Sequence, residues 1–158
     1  MAANVLAIET AGRDATEALG EALAPLLVAG DVLILSGDLG AGKTQLVKGL
    51  ARGLGITEGV RSPTFLLVNI YAGGRLPLFH LDLYRLDTPE QIIAAGLEEY
   101  LRPDGVTVIE WAERWPDATS PHSTHHAPRN SPGPRLRRVQ MDVLGENERR
   151  ITYEDSSA

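Results

Sequence analysis

The stretch S-G-D-L-G-A-G-K-T-Q, residues 36–45, stands between an apolar run and a helical segment. The run before it, V-L-I-L at Val32–Leu35, is typical of a strand that is covered on both faces. The residues after it have the spacing of a helix that ends near Gly55. Strand, glycine-rich loop and helix follow one another in the order that G-x-x-x-x-G-K-[ST] requires. The sequence therefore predicts an α/β fold whose loop binds phosphate groups.

The loop offers backbone N–H groups, a cation and a hydroxyl to a bound phosphate chain. Lys43 is placed to reach the outer phosphates and Thr44 to ligate magnesium. The fifteen basic residues include only two lysines, Lys43 and Lys48, so a lysine at this position is informative. The alternative is a plain glycine-rich turn before a helix. The predicted nucleotide contacts are Gly37, Asp38, Leu39, Gly40, Ala41, Gly42, Lys43, Thr44 and Gln45.

Composition limits the class of protein. The 158 residues suit one domain, and 43% apolar with 23% charged residues is ordinary for a folded protein. Cysteine is absent, which excludes a disulfide framework and a cysteine-based zinc site. The net charge of -6 argues against a free-standing RNA or DNA binder. With neither a leader-like N-terminus nor a long apolar run, we expect a cytoplasmic protein.

The other predicted elements follow from periodicity and turn residues. Thr88, Pro89 and Gln91 form a helix start, with Thr88 as N-cap. Residues 116–134 are rich in proline, histidine and serine, and we expect a flexible insertion there within a single domain of residues 1–158. The remaining predictions are a helix over Thr10–Val28, an antiparallel pair over 65–71 and 76–84, a helical segment to Leu101, a strand over Gly105–Trp111 and a C-terminal hairpin.

Two carboxylates are candidates for a magnesium site. Asp82 and Glu110 each follow apolar strand residues, where an unpaired carboxylate would be costly to bury. Acidic groups near a phosphate loop commonly hold the metal or its waters. The alternative is that both mark the points where strands emerge into solvent. His80 shares a predicted strand face with Asp82 and is a candidate to orient it, although a structural histidine is the commoner case.

Two further features have open interpretations. Ser62 and Thr64 flank a proline in R-S-P-T, where hydroxyl groups could sense the terminal phosphate or belong to an ordinary turn. Trp111 could stack on a base or a partner, or be a core or rim aromatic.

The motifs taken together resemble a known family. G-D-L-G-A-G-K-T, S-P-T-F, F-H-L-D-L-Y-R-L, G-L-E-E-Y and V-I-E-W occur in this order and are similar to those of TsaE, the bacterial ATPase of tRNA threonylcarbamoyladenosine formation. The resemblance covers about residues 33–113. It implies a P-loop NTPase-like three-layer sandwich, with a mixed, mainly parallel central sheet and an antiparallel C-terminal hairpin.

The resemblance also implies roles. Lys43 matches the ATP phosphate clamp, Thr44 the magnesium-binding hydroxyl, Asp82 and Glu110 the two acidic positions, and 62–64 a switch-like segment. Lys43 and Glu110 are the catalytic candidates, Thr44, Asp82 and Glu110 the metal ligands, and ATP and Mg²⁺ the implied cofactors. The implied partners are TsaD and TsaB, with tRNA reached through them and neither membrane nor DNA involved. ATP turnover is expected to be weak without those partners.

Two other classes stay open beside this one. In a small-molecule kinase, residues 116–134 would act as a lid, but that segment carries only Arg129 where such lids are usually arginine-rich. A nucleotide-dependent binding module would lack significant catalysis. A GTPase is disfavoured because the chain has no N-K-x-D motif to read guanine.

Overall fold

A seven-stranded mixed sheet runs through the computed structural model, which describes residues 4–38, 40–61, 67–101, 103–116 and 135–155. The order along the sheet is β1-β7-β6-β2-β5-β4-β3. Neighbouring strands from β6 to β4 are parallel, and the outer three pairings are antiparallel. The strands are β1 (Asn4–Ala11), β2 (Asp31–Gly37), β3 (Val68–Tyr71), β4 (Leu78–Asp82), β5 (Val106–Glu110), β6 (Arg135–Val143) and β7 (Glu148–Asp155).

Helices cover both faces of the sheet. On one face lie α1 (Arg13–Leu23) and α2 (Lys43–Gly53), which share a core with alternate residues of β2 and β5. On the other face lie α3 (Pro89–Ala94) and two 3₁₀ turns, Leu97–Leu101 and Ala112–Arg114, over the second core. Coverage on both faces explains why β2 and β5 are apolar along their length. The predicted three-layer α/β sandwich, with its parallel centre and C-terminal hairpin, is confirmed.

The register of the central strands brings their carboxyl ends to one level. Leu35 of β2 is paired with Glu110 of β5, and Glu110 is paired with Asp82 of β4. The glycine-rich loop, residues 37–44, leaves β2 at the same end. Ligands of open α/β sheets bind beyond the carboxyl ends of the strands. The topology therefore gathers the predicted phosphate loop and both predicted carboxylates at one edge.

The N-terminal prediction was partly wrong. Residues predicted as one helix over Thr10–Val28 divide into the end of β1, the shorter α1, and a 3₁₀ turn at Ala24–Leu26. Leu26, in this turn, is 52% exposed. Strand β1 forms through antiparallel pairing with β7, about 140 residues away. The local periodicity of a sequence cannot reveal so distant a partner.

Other predicted elements occur with small shifts. The Thr88 hydroxyl accepts a hydrogen bond from the Gln91 N–H at 3.3 Å, which confirms the predicted cap, and Leu97–Leu101 continues as a 3₁₀ turn. The predicted C-terminal hairpin is confirmed as β6 and β7. The predicted insertion falls, apart from Pro116, on residues 117–134, outside the described ranges. Within those ranges no helix is long and apolar enough to cross a membrane.

Candidate functional site

The glycine-rich loop is packed tightly against β6. A Cβ atom built on Gly37 would lie 2.8 Å from the Met141 carbonyl oxygen, so a side chain there would push the strands apart. Gly42, which caps α2, has a φ of 96°, a left-handed conformation that favours glycine. The Ala41 N–H donates to the Asp38 carbonyl at 3.0 Å. Glycine is thus required at Gly37 for space and at Gly42 for backbone conformation.

Lys43, the first residue of α2, directs its side chain back toward the start of the loop. Its side chain is largely buried, and its ammonium donates to the Gly37 carbonyl at 2.9 Å. The same ammonium lies 4.2 Å from the centroid of the Trp111 ring, within the range of a cation–π interaction. Trp111 in turn lies 5.0 Å from the ring of Tyr84. Trp111 is thus a rim aromatic that supports the loop's cation.

The two predicted carboxylates are both buried beside a histidine. Asp82 is 6% exposed, Glu110 4% and His80 0%. His80 and Asp82 share a face of β4, as predicted, but His80 is hydrogen-bonded to Glu110, whose Oε2 lies 2.5 Å from His80 Nε2. His80 therefore orients Glu110 on the neighbouring strand, where the sequence had suggested Asp82.

The electrostatics of Asp82 oppose its ionised form. Burial raises the pKa of Asp82 above its ordinary value, and the neighbouring Glu110 carboxylate raises it further. The Tyr84 N–H, which donates to Asp82 Oδ1 at 3.0 Å, and the nearby His80 and Lys43 act in the opposite direction. A cation between the two carboxylates would relieve this cost.

The donor chemistry at this edge suits a hard divalent cation. Asp82, Glu110 and the Thr44 hydroxyl all line one cavity and supply oxygen ligands. Among the described residues no group of three or more histidine or acidic side chains is arranged to hold a metal by itself. Magnesium usually takes only one or two carboxylates and completes its shell with waters and substrate phosphates. The residues present therefore fit Mg²⁺ bound together with a phosphate chain.

The cavity has a volume of about 600 Å³ and opens beside the loop. Most of the predicted site residues within the described part of the chain line it: Gly40, Ala41, Gly42, Lys43, Thr44, Gln45, Asp82 and Glu110. Gly37 and Asp38 lie in the loop without lining it. Leu39, Ser62 and Thr64 fall outside the described residues, so their predicted contacts stay predictions.

Sequence reasoning missed one side of the cavity. Arg13 and Thr16 of α1 line it, as do Asn147 and Arg149 from the hairpin of β6 and β7. The Gly12 N–H donates to the Asn147 carbonyl at 2.7 Å, which brings the two segments together. They are more than 130 residues apart in sequence, and none belongs to a local motif. The only available signal was the G-E-N-E turn itself, which predicted a hairpin and no ligand.

Comparisons with known proteins agree with this architecture. The family model "Threonylcarbamoyl adenosine biosynthesis protein TsaE" matches residues 10–138. A tRNA threonylcarbamoyladenosine biosynthesis protein TsaE from Nostoc sp. is 51% identical over 110 residues, 67% of each chain. The protein of that name from Bacillus subtilis is 40% identical over 144 residues, 91% of this chain and 82% of the relative. The crystal structure of Bacillus subtilis YdiB superposes with a TM-score of 0.73 and 33% identity, over 98% of this chain and 88% of that one.

Proposed function

Since this chain belongs to the TsaE family, we propose that it is an ATP-binding, Mg²⁺-dependent ATPase that acts in the formation of threonylcarbamoyladenosine in tRNA. The observation that carries the proposal is the meeting of a loop of G-x-x-x-x-G-K-[ST] type with two buried carboxylates at one edge of the sheet. A phosphate loop alone would serve many classes of protein. The paired carboxylates add the acidic side of a metal–triphosphate site.

Binding is assigned to the loop and the start of α2. The N–H groups at the start of α2 and the ammonium of Lys43 supply positive charge to the phosphates. The Lys43 ammonium has three N–H donors, and the Gly37 carbonyl occupies one of them. A hydrogen bond from this ammonium to a charged phosphate oxygen would be stronger than its bond to the neutral carbonyl.

Magnesium would be held by Thr44, Asp82 and Glu110, directly or through water. When bound, the ion would neutralise charge on the outer phosphates. Hydrolysis requires a water oxygen to bond to the terminal phosphorus while the bond to the ADP oxygen breaks, and the water proton must pass to a base or to phosphate. Glu110, oriented by His80, is the protein group that we assign either to position that water or to hold the metal.

The partners proposed are TsaD and TsaB, with tRNA bound chiefly by the assembly. The net charge of -6 supports this arrangement, because an acidic chain gains little from contacting RNA phosphates itself. Turnover that is weak in isolation and rises with partners is the expected behaviour.

Calorimetric titration with Mg-ATP, together with ATP hydrolysis assayed with and without TsaD and TsaB, tests the proposal. Binding of ATP and turnover stimulated by the partners would support it. Failure to bind nucleotide would overturn it, and turnover indifferent to both partners would remove the assembly from the proposal.

A Glu110→Gln variant separates the two roles of Glu110. Mg-ATP affinity near that of the wild type with lost turnover would assign Glu110 to the water. Binding that no longer depends on magnesium would assign it to the metal. Glu113→Gln is the matched control, because Glu113 is exposed and does not line the cavity, and its turnover should equal that of the wild type.

A further inference from the structure

The guanidinium of Arg149 binds two carbonyl groups of the glycine-rich loop. Its Nε donates to the Ala41 carbonyl at 3.1 Å, and its Nη2 donates to the Gly40 carbonyl at 3.3 Å. Arg149 is the second residue of β7, so these contacts join the loop to a strand 108 residues further along the chain. They lie on the backbone of the segment that is proposed to surround the phosphates.

The other side of the same guanidinium is anchored in the hairpin turn. Its Nη1 donates to the carbonyl groups of Gly145 at 2.9 Å, Glu146 at 3.3 Å and Glu148 at 2.9 Å. The turn itself is closed by the Leu144 N–H, which donates to the Glu148 carbonyl at 2.9 Å. The side chain of Arg149 is thus held by the hairpin turn as well as by the loop.

The geometry of the peptide bond links this contact to the direction of an N–H group in the loop. In a planar trans peptide the carbonyl and the following N–H point in opposite directions. When the Ala41 carbonyl is held toward Arg149, the Gly42 N–H is held toward the other side of the backbone. Gly42 has no Cβ and a left-handed backbone, so without an external contact this peptide could rotate readily.

We propose that Arg149 is a positioning residue, which fixes the Ala41–Gly42 peptide so that the Gly42 N–H is preorganised for a phosphate. The proposal rests on the nucleotide binding proposed above. It predicts that the fork of the guanidinium matters in addition to its charge, because a single ammonium cannot serve loop and turn carbonyls with the same geometry.

Three variants test it by calorimetric titration with Mg-ADP. We expect Arg149→Ala to weaken binding by roughly tenfold or more, as the loss of charge-assisted hydrogen bonds would produce. Arg149→Lys keeps the charge and should recover only a small part of the affinity. Arg150→Ala is the matched control. Arg150, the next residue in β7, is half-exposed, pairs with Glu9 at 3.3 Å and does not line the cavity, so the affinity of this variant should equal that of the wild type.

Amide hydrogen exchange gives a second readout that a general loss of stability would not reproduce. Arg149→Ala should accelerate exchange in peptides that cover residues 38–44 while those of β6 and β7 keep their protection. Acceleration throughout β6 and β7 would show a structural role and overturn the proposal.

The outcomes are distinguishable from a failure of the proposed function. Wild-type affinity in Arg149→Ala, or full recovery in Arg149→Lys, would overturn the positioning role while nucleotide binding stands. A wild-type protein that binds neither Mg-ADP nor Mg-ATP would overturn the proposed function and this role with it.

Discussion

His80 Nε2 lies 2.5 Å from Glu110 Oε2, across two neighbouring parallel strands and almost completely buried. The pair joins the middle of β4 to the last residue of β5. A carboxylate 4% exposed needs a partner in the protein, and His80 is the one that the structure supplies to this oxygen. The contact therefore fixes the side chain on which the proposed chemistry depends.

Replacement of His80 should reduce both stability and turnover. His80→Ala leaves Glu110 buried without its partner, and we expect the free energy of unfolding to fall by about 3 kcal/mol. Partner-stimulated ATP turnover should fall by at least tenfold at saturating nucleotide, because Glu110 is no longer oriented. Chemical denaturation and steady-state kinetics measure the two effects.

His80→Gln is the control, since glutamine can place an N–H donor near the position of Nε2. Partial recovery of both quantities is expected. Equal turnover in His80→Ala and the wild type would show that the orientation of Glu110 is unimportant.

Lys43 and Lys48 allow a comparison within one helix. Lys43→Ala should weaken Mg-ATP binding by about 10- to 100-fold, the effect of removing a charged phosphate contact. Lys48→Ala removes the only other lysine, which lies on α2 away from the cavity, and should leave the affinity unchanged. Calorimetric titration measures both. Similar losses in the two variants would indicate a general electrostatic effect and contradict the assignment of Lys43.

The parts of the site that could be predicted are those encoded by neighbouring residues. The loop and α2 follow from residues 36–53, and the apolar runs of β2 and β5 reflect their coverage on both faces. Asp82 and Glu110 could be recognised because each ends such a run. Their equal level at the sheet edge depends on strand register, which only the pairing of β4 with β5 supplies.

The parts that could not be predicted depend on contacts between distant segments. Strand β1 exists because it pairs with β7, and Arg149 reaches the loop because β6 inserts beside β2. The contact of His80 with Glu110 likewise crosses from one strand to another. Periodicity reports the face of a residue but not its neighbour across the sheet, so it could place His80 on the face of Asp82 but could not identify the contact with Glu110.

The close approach of α1 to α2 makes glycine necessary at Gly49. A Cβ atom built there would lie 2.0 Å from the Glu17 carbonyl oxygen, in the backbone of α1. Gly49→Ala should therefore lower the free energy of unfolding by about 2–3 kcal/mol, despite alanine's better helix propensity. Thermal and denaturant unfolding measure this loss of stability. Gly59→Ala is the control, because a Cβ there meets nothing within 4 Å, and its stability should change little.

Asp82→Asn should stabilise the protein in the absence of metal and nucleotide while weakening Mg-ATP binding. Burial raises the pKa of Asp82 above the ordinary value of 3.8, so ionisation of this carboxyl is harder in the folded state than in the unfolded state. Its favourable contribution is complete below pH 3.8 and is lost as the pH rises through the folded-state pKa. Asparagine can keep the acceptor for the Tyr84 N–H without carrying the charge.

The difference in free energy of unfolding between Asp82→Asn and the wild type should therefore grow as the pH rises from 3.8 through the folded-state pKa of Asp82, and level off above that pKa. Urea denaturation with a chelator present measures this difference, from which the titration of groups that do not interact with Asp82 cancels. Asp87→Asn, at a side chain 79% exposed, should show no comparable trend. A difference that shrinks as the pH rises would mean that Asp82 is stabilised as a carboxylate by the protein alone, and that no cation is needed to hold it beside Glu110.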